Sequence, residues 1–399
     1  MLSTEELERY SDVLLWGLKT ARKRKFKKYD VVALRYHQSA RPLANILFKR
    51  LLQSGLNPVQ RVLETPEMEK SYYTHTNARQ LTFVPPGEEN LYRNLNGSIM
   101  LYAPESLTHL SEVDSRKIGK AAVAKKFLRD ILDDREDRGH FSWTLCVFPT
   151  IALARHARMS LKSYSRQVAA ACFLDQPEPV KIWQDIFQKV HSIKIWLNEL
   201  AVEKFHIESK NIDLSITPGN NRKWLGLSGR NIPSFEVFIS PDWRGTHGVY
   251  YADQPSFRSG NLVSGVRLEF KKGSVVDIQA RKGVDFVRSQ LKMDTGARRL
   301  GEFSLTDRRF SSINAFMANT LYDENFGGQN GNCHVALGAS YSDAYAGRPT
   351  DLDNSLKKIL GFNQSALHWD LINTEEKRVS AHLKGGHIVT IYENGEFVY

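Results

Sequence analysis

The sequence predicts two folded parts: an α/β N-terminal domain with a mainly parallel sheet, residues 1–207, and an α+β C-terminal domain with a mostly antiparallel sheet, residues 208–399. Three observations lead to this prediction. A chain of 399 residues is long enough to bury two hydrophobic cores. Strand-like and helix-like segments alternate up to about residue 204, and beyond Ile207 the chain becomes a series of short strand-like runs separated by Gly, Asn and Pro turns.

The first part begins with a predicted helix and continues as a β-α-β unit. Ser3 and Glu6 have the spacing of a capping box, and apolar residues then recur at helical intervals. A buried strand is predicted at 31–34, a helix that begins near Pro42 and ends before Gly55 follows, and a second strand is predicted at 59–63. A β-α-β unit implies parallel strands joined by a right-handed crossover.

The alternation continues to the predicted domain boundary. The predicted elements are a strand at 98–102, a helix at 117–132, a strand at 142–148, helices at 151–157 and 161–173, and a long helix at 180–204. The first strand-to-helix turn has no G-x-G-x-x-G sequence, so dinucleotide binding is not predicted.

The second part is dominated by short strands. They are predicted at 212–216, 237–240 and 249–251, and two hairpins are predicted, one joining 262–270 to 274–280 and one joining 381–383 to 387–392. A helix is predicted at 284–291.

Composition narrows the class of protein. No run of about 18 apolar residues occurs, so no transmembrane helix is predicted, and the polar, acidic residues 1–10 do not form a secretory signal. Cys146, Cys172 and Cys333 do not make a disulfide framework, so a cytoplasmic location is expected. Cys333 adjoins His334, but no second cysteine has zinc-finger spacing, so we interpret it as a small packed residue.

The net charge of +11 raises the question of nucleic-acid binding. Residues 19–28 carry seven cations and could contact phosphates, but the same run would serve as a helix end and solvated connector. No helix-turn-helix, zinc finger or RNA-binding signature accompanies it, so we favour the second interpretation.

The segment 321–370 contains several residues that could ligate a metal or take part in catalysis. His368 and Asp370 flank Trp369, and on a strand their side chains would project to the same face while Trp369 packs behind. Such a pair can ligate a divalent metal, although an exposed strand with alternating polar residues is the alternative.

Glu324 and His334 lie further upstream, separated by the Gly-rich residues 326–332. Glycines permit positive φ, so the chain could turn and bring His334 near Glu324; an ordinary surface loop is the alternative. Zinc and cobalt take mixed nitrogen and oxygen ligands of this kind.

Five sequence motifs carry a resemblance to a known family. They are Leu321-Tyr322-Asp323-Glu324-Asn325; His334-Val335-Ala336-Leu337-Gly338 with Tyr341; Asn363-x-Ser365-x-x-His368-x-Asp370; Asn231-Ile232-Pro233-x-x-Glu236-Val237-Phe238; and Gly301-Glu302-Phe303. On these motifs the whole chain resembles the metal-dependent aminopeptidases of the aminopeptidase T and aminopeptidase S type, the thermophilic aminopeptidases. The insert 326–332 departs from the pattern, because the better-known members have a shorter link.

The resemblance implies a C-terminal metal-binding domain in which six side chains hold two divalent cations, zinc or cobalt, with magnesium or manganese as alternatives. Without it, Glu236 and Glu302 would be interpreted as solvated charges. A single zinc needs only three protein ligands, so the surplus of carboxylates argues for two cations. The implied ligands are Glu236, Glu302, Glu324, His334, His368 and Asp370.

The predicted function is therefore a dinuclear metal-dependent aminopeptidase acting on peptides. Glu324 is the candidate base, and the resemblance indicates Tyr341 as the hydrogen-bond donor to the oxyanion, with Tyr345 as the nearby alternative. The resemblance also implies a homodimer and a broad preference among N-terminal residues. Two alternatives stay open: another two-metal hydrolase, such as an amidase or phosphoesterase, and a basic nucleic-acid-binding protein with a vestigial metal site.

Overall fold

The computed structural model describes the backbone of residues 1–399 and every side chain except that of Ser115. The chain forms two compact units. The first contains Met1–Gln184, Ser228–Pro233 and Ser259–Asn261, and the second contains Asp185–Leu227, Ser234–Arg258 and Leu262–Tyr399. The division at residue 207/208 stays a prediction about which parts fold independently.

The helices alternate with strands in the first half of the chain and are sparse in the second. They are α1 (Thr4–Thr20), α2 (Arg41–Gln53), α3 (Pro66–His75), α4 (Ala78–Leu81), α5 (Glu88–Asn94), α6 (Ser115–Ala124), α7 (Lys126–Asp137), α8 (Ile151–His156), α9 (Leu161–Ala171), α10 (Pro179–Glu199), α11 (Val284–Gln290), α12 (Thr320–Asp323) and α13 (Asn354–Leu360). Short 3₁₀ helices lie at Gln38–Ala40, Ser342–Ala344 and Pro349–Asp351.

The strands are concentrated in the second half. They are β1 (Val31–Tyr36), β2 (Asn57–Val62), β3 (Leu95–Tyr102), β4 (Ser142–Val147), β5 (Val202–Ser209), β6 (Asp213–Thr217), β7 (Leu225–Gly226), β8 (Asn231–Ile232), β9 (Glu236–Ile239), β10 (Asp242–Ala252), β11 (Ser256–Arg258), β12 (Asn261–Val263), β13 (Val266–Lys271), β14 (Ser274–Gln279), β15 (Leu300–Thr306), β16 (Asn332–Gly338), β17 (His368–Asn373), β18 (Lys377–Leu383), β19 (Ile388–Glu393) and β20 (Glu396–Phe397).

The first unit contains a five-stranded parallel sheet of order β2-β1-β3-β4-β8. The predicted β-α-β unit is confirmed, because β1 pairs in parallel with β2 after helix α2. The predicted capping box is also confirmed: Ser3 Oγ accepts from the Glu6 N–H, and the Glu6 carboxylate accepts from the Ser3 N–H. Helix α1 packs against the sheet, where the Tyr10 hydroxyl donates to the Val147 carbonyl at 3.0 Å.

Two helix predictions in the first half are wrong in detail. The predicted helix 117–132 is two helices, α6 and α7, which meet at Lys125; no Gly or Pro marks that break in the sequence. The predicted helix 180–204 ends at Glu199, and Val202 begins β5 opposite Leu383 of β18. Pairing between distant strands here outweighs the local helical pattern.

The basic residues 19–28 are the end of α1 and a connector, as predicted. Arg22 forms an ion pair with Asp30 at 3.2 Å, donates to the Asn96 carbonyl at 2.9 Å and stacks over the ring of Phe26. Its charge therefore serves the local fold. No helix among the described residues is both long and apolar enough to span a bilayer.

The second unit contains two antiparallel sheets, which confirms the predicted fold class. One has the order β14-β13-β10-β6-β5-β18-β19-β20 and the other has the order β17-β16-β15-β9-β7. The sheets meet through apolar residues: the rings of Phe205 and Phe303 lie 6.2 Å apart, and the Tyr250 hydroxyl donates to the Leu371 carbonyl at 2.7 Å. Both predicted hairpins form, but 262–270 is divided at Gly265, so β12 and β13 are separate strands.

Candidate metal centre

Five of the six predicted ligands project from one face of the five-stranded antiparallel sheet β17-β16-β15-β9-β7. Residues directly opposite each other in antiparallel strands share a face. Ala336 pairs with both Glu302 and Asp370, which places these two carboxylates in one row across the sheet. Ser304 pairs with His334 in the next row. Glu236 lies two residues before Phe238, the other partner of Ser304, and His368 lies two residues before Asp370, so both belong to the same face.

Small residues between the ligands leave room for them to converge. Ser304, Ala336 and Gly338 occupy this face of the sheet and are almost wholly buried. The opposite face is apolar and packs toward the larger sheet; it carries Val237, Phe303, Leu305, Val335, Trp369 and Leu371. The period-two pattern therefore separates a polar face for the centre from an apolar face for the core.

Glu302 is the central side chain of the cluster. Its Oε1 lies 3.1 Å from His334 Nε2, and its Oε2 lies 3.8 Å from His368 Nε2. His334 Nε2 is also 3.4 Å from Glu236 Oε2, and His368 Nε2 is 3.4 Å from Asp370 Oδ1. Glu236, Glu302 and His334 offer ligand atoms within 4.8 Å of one another. The two oxygens of Glu302 thus face two different imidazoles.

Glu324 reaches the cluster from outside the sheet, at the C-terminal end of α12. Its carbonyl accepts from Thr306 Oγ1 at 3.2 Å and from Asn332 Nδ2 at 3.0 Å, which fixes the loop against β15 and β16. The preceding Asp323 is buried and accepts from the Met317 N–H at 2.6 Å. The carboxylate of Glu324 is close enough to the other predicted carboxylate ligands that their charges help to raise its pKa.

The glycines near the centre serve backbone packing. The turn with positive φ predicted in 326–332 is present: φ is +47° at Gly328 and +58° at Gly331. A Cβ at Gly331 would lie 2.0 Å from the Tyr392 hydroxyl, so no larger residue fits there. Gly301 lies at a bulge of β15, where a Cβ would meet the Ala339 carbonyl at 2.3 Å.

Tyr341 borders the cluster at the entrance to a 3₁₀ helix. Its ring lies 4.9 Å from that of His368, centroid to centroid, and 42% of the residue is exposed. Its N–H donates to Ser240 Oγ at 2.9 Å, which anchors the backbone. The alternative, Tyr345, packs instead against Phe362, in a separate apolar cluster. The geometry favours Tyr341 over Tyr345 as the aromatic residue beside the centre.

Burial and the crowding of carboxylates together set the charge state of the metal-free site. Burial, reinforced by the charge of Glu302, raises the pKa of Glu236 to about 8. Burial and the charges of Glu236, Asp370 and Glu302 hold the pKa of Glu324 well above its ordinary value. Glu236 therefore retains its proton at neutral pH unless a cation compensates the charge of its carboxylate.

The imidazoles respond in the opposite sense. Burial alone would lower the pKa of His334, but the Glu302 hydrogen bond and the charges of Glu236 and Glu302 outweigh it and raise that pKa to about 9. Burial is likewise outweighed at His368, where Asp370 raises the pKa to about 9. Burial would raise the pKa of Asp370, but His368 lowers it to about 2. In the metal-free site, the protons on these imidazoles thus supply positive charge that bound metal cations would otherwise supply.

A family model described as thermophilic metalloprotease (M29) matches residues 3–397. The chain belongs to the M29 thermophilic metalloprotease family. It is 29% identical to aminopeptidase T of Thermus aquaticus over 271 residues, which is 65% of this chain and 64% of that relative. It is 28% identical to aminopeptidase 2 of Geobacillus stearothermophilus over 319 residues, 73% of each chain.

The first of these alignments spans just under two thirds of the relative's length. A solved structure, wild-type AmpT from Thermus thermophilus, matches with a TM-score of 0.82 over 100% of both chains at 21% identity, and shows the shared fold. The resemblance drawn from the sequence motifs is confirmed at the level of the family.

Two residues of this M29 chain that were not predicted from the sequence, Ala339 and Arg258, contact His368. His368 Nδ1 lies 3.0 Å from the Ala339 carbonyl; a proton donated there leaves Nε2 directed at Glu302 and Asp370. Arg258 donates to the His368 carbonyl at 2.9 Å, and its charge helps to keep Asp370 ionised. No motif surrounds Arg258, so only the fold reveals it.

The other candidate considered from the sequence lies elsewhere. Cys333 is buried and unpaired by disulfide, on the apolar face opposite His334, and burial raises the pKa of its thiol to about 11. This supports its interpretation as a packed residue.

The charge state of the metal-free M29 chain predicts how its stability depends on pH. Folding raises the pKa of His334 from 6.5 to about 9, so the stability it contributes is complete below pH 6.5 and is lost as the pH rises to 9. Glu236, with a pKa raised from 4.5 to about 8, acts in the same direction. We expect the free energy of unfolding to fall by at least about 1 kcal/mol between these pH values.

Chemical denaturation of metal-free protein at pH 6.5 and pH 9 measures this change. Metal-loaded protein is the control, and its loss should be smaller because metal binding displaces the same protons and strengthens with pH. Metal-free protein that is equally stable, or more stable, at pH 9 would contradict the prediction.

Proposed function

We propose that this chain is a dinuclear metal-dependent aminopeptidase that removes the N-terminal residue from peptides. The observation that carries the proposal is the convergence of His334, Glu302 and His368 on one sheet face, with Glu302 between the two imidazoles. Membership of a metalloprotease family and relatives named aminopeptidases support it.

The donor set suits divalent cations. Carboxylate oxygens and imidazole nitrogens are ligands for zinc and cobalt, and carboxylates also bind manganese and magnesium. Burial and mutual repulsion together raise the pKa values of Glu236 and Glu324, as expected of a site whose negative charge is completed by cations. We propose that Glu302, whose two oxygens face the two imidazoles, would serve both of two cations. The full set of residues that would hold them is Glu236, Glu302, Glu324, His334, His368 and Asp370.

Each side chain then has a role in peptide hydrolysis. When bound, the cations would supply Lewis-acid polarisation of the scissile carbonyl and would activate the attacking water. Glu324, whose pKa is raised by burial and by its carboxylate neighbours, would accept the proton of that water and pass it to the leaving amine. Tyr341 would donate a hydrogen bond to the oxyanion. Desolvation of its hydroxyl beside the cluster and the charges of Glu302 and Asp370 raise its pKa well above the ordinary value, so the hydroxyl stays protonated.

The remaining features are proposed from the family resemblance. They are zinc or cobalt as the working metals, a homodimeric state, a cytoplasmic location, and peptides as the partners rather than nucleic acid or membrane. The involvement of Arg22 in the local fold favours a structural role for residues 19–28 over phosphate binding.

Chelation tests the metal requirement. Exhaustive dialysis against a chelator is expected to abolish hydrolysis of aminoacyl-nitroanilides, and zinc or cobalt should restore it with a titration end point of two per chain. Turnover of simple amides or phosphoesters in place of aminoacyl substrates would instead favour another two-metal hydrolase, since the same ligands would serve it. Undiminished aminopeptidase activity in protein shown by elemental analysis to lack metal would refute the mechanism.

A further inference from the structure

Phe238 shares the ligand-bearing face of the sheet without being a ligand. It pairs with Ser304 on one side and Leu225 on the other, in the row that also contains His334. Its strand neighbours Val237 and Ile239 point to the apolar core and are buried. Phe238 itself is partly exposed, beside Glu236 in the alternation of β9.

Two aromatic rings therefore line one side of the metal centre. The centroids of Phe238 and Tyr341 are 5.6 Å apart, with the rings inclined at 59°, and Tyr341 also contacts the ring of His368. Tyr341 is 42% exposed. The hydrogen bond from the Tyr341 N–H to Ser240 holds this aromatic pair in place. Apolar surface thus remains accessible to solvent directly beside a cluster of buried ionisable groups.

The polar cluster and the aromatic pair differ in chemistry, so they would bind different parts of a peptide. The polar cluster suits the scissile carbonyl and the free amine, whereas an aromatic surface gains most free energy by covering an apolar group. In an aminopeptidase substrate, the group attached next to the scissile carbonyl is the side chain of the N-terminal residue. An aromatic pair next to the metal ligands is within reach of that side chain.

We propose that the rings of Phe238 and Tyr341 bind the side chain of the N-terminal residue, so the enzyme favours peptides that begin with large apolar residues such as leucine or phenylalanine. This inference rests on the proposed aminopeptidase function and narrows the broad preference implied by the family resemblance. Phe238 is a specificity residue in this proposal, and Tyr341 contributes its ring in addition to its hydroxyl.

A purely structural role for Phe238 makes a different prediction. Leu225, its neighbour across β7, packs against a buried apolar cluster of Ala344, Leu352 and Phe362. If Phe238 only completed that packing, its removal would disturb the fold of the site and slow every substrate alike. The relative rates for different N-terminal residues therefore separate the two roles.

The experiment compares kcat/KM for leucyl, phenylalanyl, glycyl, lysyl and glutamyl nitroanilides in the zinc- or cobalt-loaded full chain. The variants are Phe238→Ala and the milder Phe238→Leu, with Phe83→Ala as the control, because Phe83 is 60% exposed in the first unit. Elemental analysis checks that each variant retains its metal, and calorimetry measures the binding of the products leucine and glycine.

Wild type should prefer leucyl and phenylalanyl over glycyl substrates, and Phe238→Ala should reduce that preference by roughly tenfold or more, the scale expected when apolar contact with a substrate side chain is removed. Phe238→Leu should keep most of the leucyl rate, Phe83→Ala should match wild type, and leucine should bind the Phe238→Ala variant more weakly while glycine is unaffected. A uniform fall for all substrates, or a wild-type preference for charged residues, would overturn the specificity role alone. A metal-loaded wild type that hydrolyses none of the substrates would overturn the aminopeptidase proposal itself.

Discussion

If Glu302 serves both cations as proposed, exchanging it for glutamine should reduce bound metal from the proposed two ions to at most one per chain and abolish the proposed peptidase activity. The substitution keeps the shape of the side chain but removes the charge from the group whose two oxygens face His334 at 3.1 Å and His368 at 3.8 Å. Loss of an outer hydrogen-bond partner typically weakens metal binding 10–100-fold, so loss of this inner carboxylate should cost more than about 100-fold.

Equilibrium dialysis against zinc, followed by elemental analysis, measures the stoichiometry and affinity of the variant. Glu269→Gln is the matched control, because Glu269 lies on β13 in the same unit, is 30% exposed and pairs only with Lys271 among the described contacts. Its metal content and activity should equal those of wild type. Two tightly bound ions in the Glu302→Gln protein would remove Glu302 from the ligands and leave the pair of imidazoles without a bridge.

The sequence predicts the parts of this fold whose patterns are local. Three predicted features depend on residues that are close together in the chain, and each is present. They are the β-α-β unit at the start, the capping box at Ser3 and the two hairpins of the second unit. The segment 180–204 shows the limit of that reasoning. Its last residues continue a helical pattern, yet Val202 is drawn into pairing with Leu383, 181 positions away in the sequence.

The candidate site divides in the same way. The projection of His368 and Asp370 to one face, with Trp369 buried behind, follows from strand alternation and is observed. Glu236 and Glu302 could be selected only through the family resemblance, because a single glutamate beside an apolar run is usually a solvated charge. The pairing register of β9, β15 and β16 is what places these two glutamates on the same face of the sheet as His334.

The register argument also explains why the support of the site escaped prediction. Ala336 sits between Glu302 and Asp370 because three strands align there, and this alignment depends on pairings that no local pattern contains. Arg258 lies 110 positions before the His368 carbonyl that it contacts. Its role, like that of Ser240 beneath Tyr341, exists only after the chain has folded.

Replacing Tyr341 by phenylalanine should lower kcat by roughly 10²–10³-fold, the typical cost of losing one donor to an oxyanion. The ring would remain against Phe238 and His368, and the backbone anchor to Ser240 does not involve the hydroxyl. Metal content and KM should therefore stay close to those of wild type, because the proposed role of the hydroxyl is to stabilise the transition state. Steady-state kinetics on a leucyl nitroanilide, with elemental analysis of the same samples, measures both.

Tyr345→Phe provides the matched control for this substitution. The same hydroxyl is removed four residues away, but Tyr345 packs against Phe362 and not against the ligands, so kcat should not change. A fall in kcat for Tyr345→Phe with none for Tyr341→Phe would exchange the two assignments. Loss of metal from Tyr341→Phe would instead make the phenol part of the metal shell, and the oxyanion would then have to be stabilised by the cations alone.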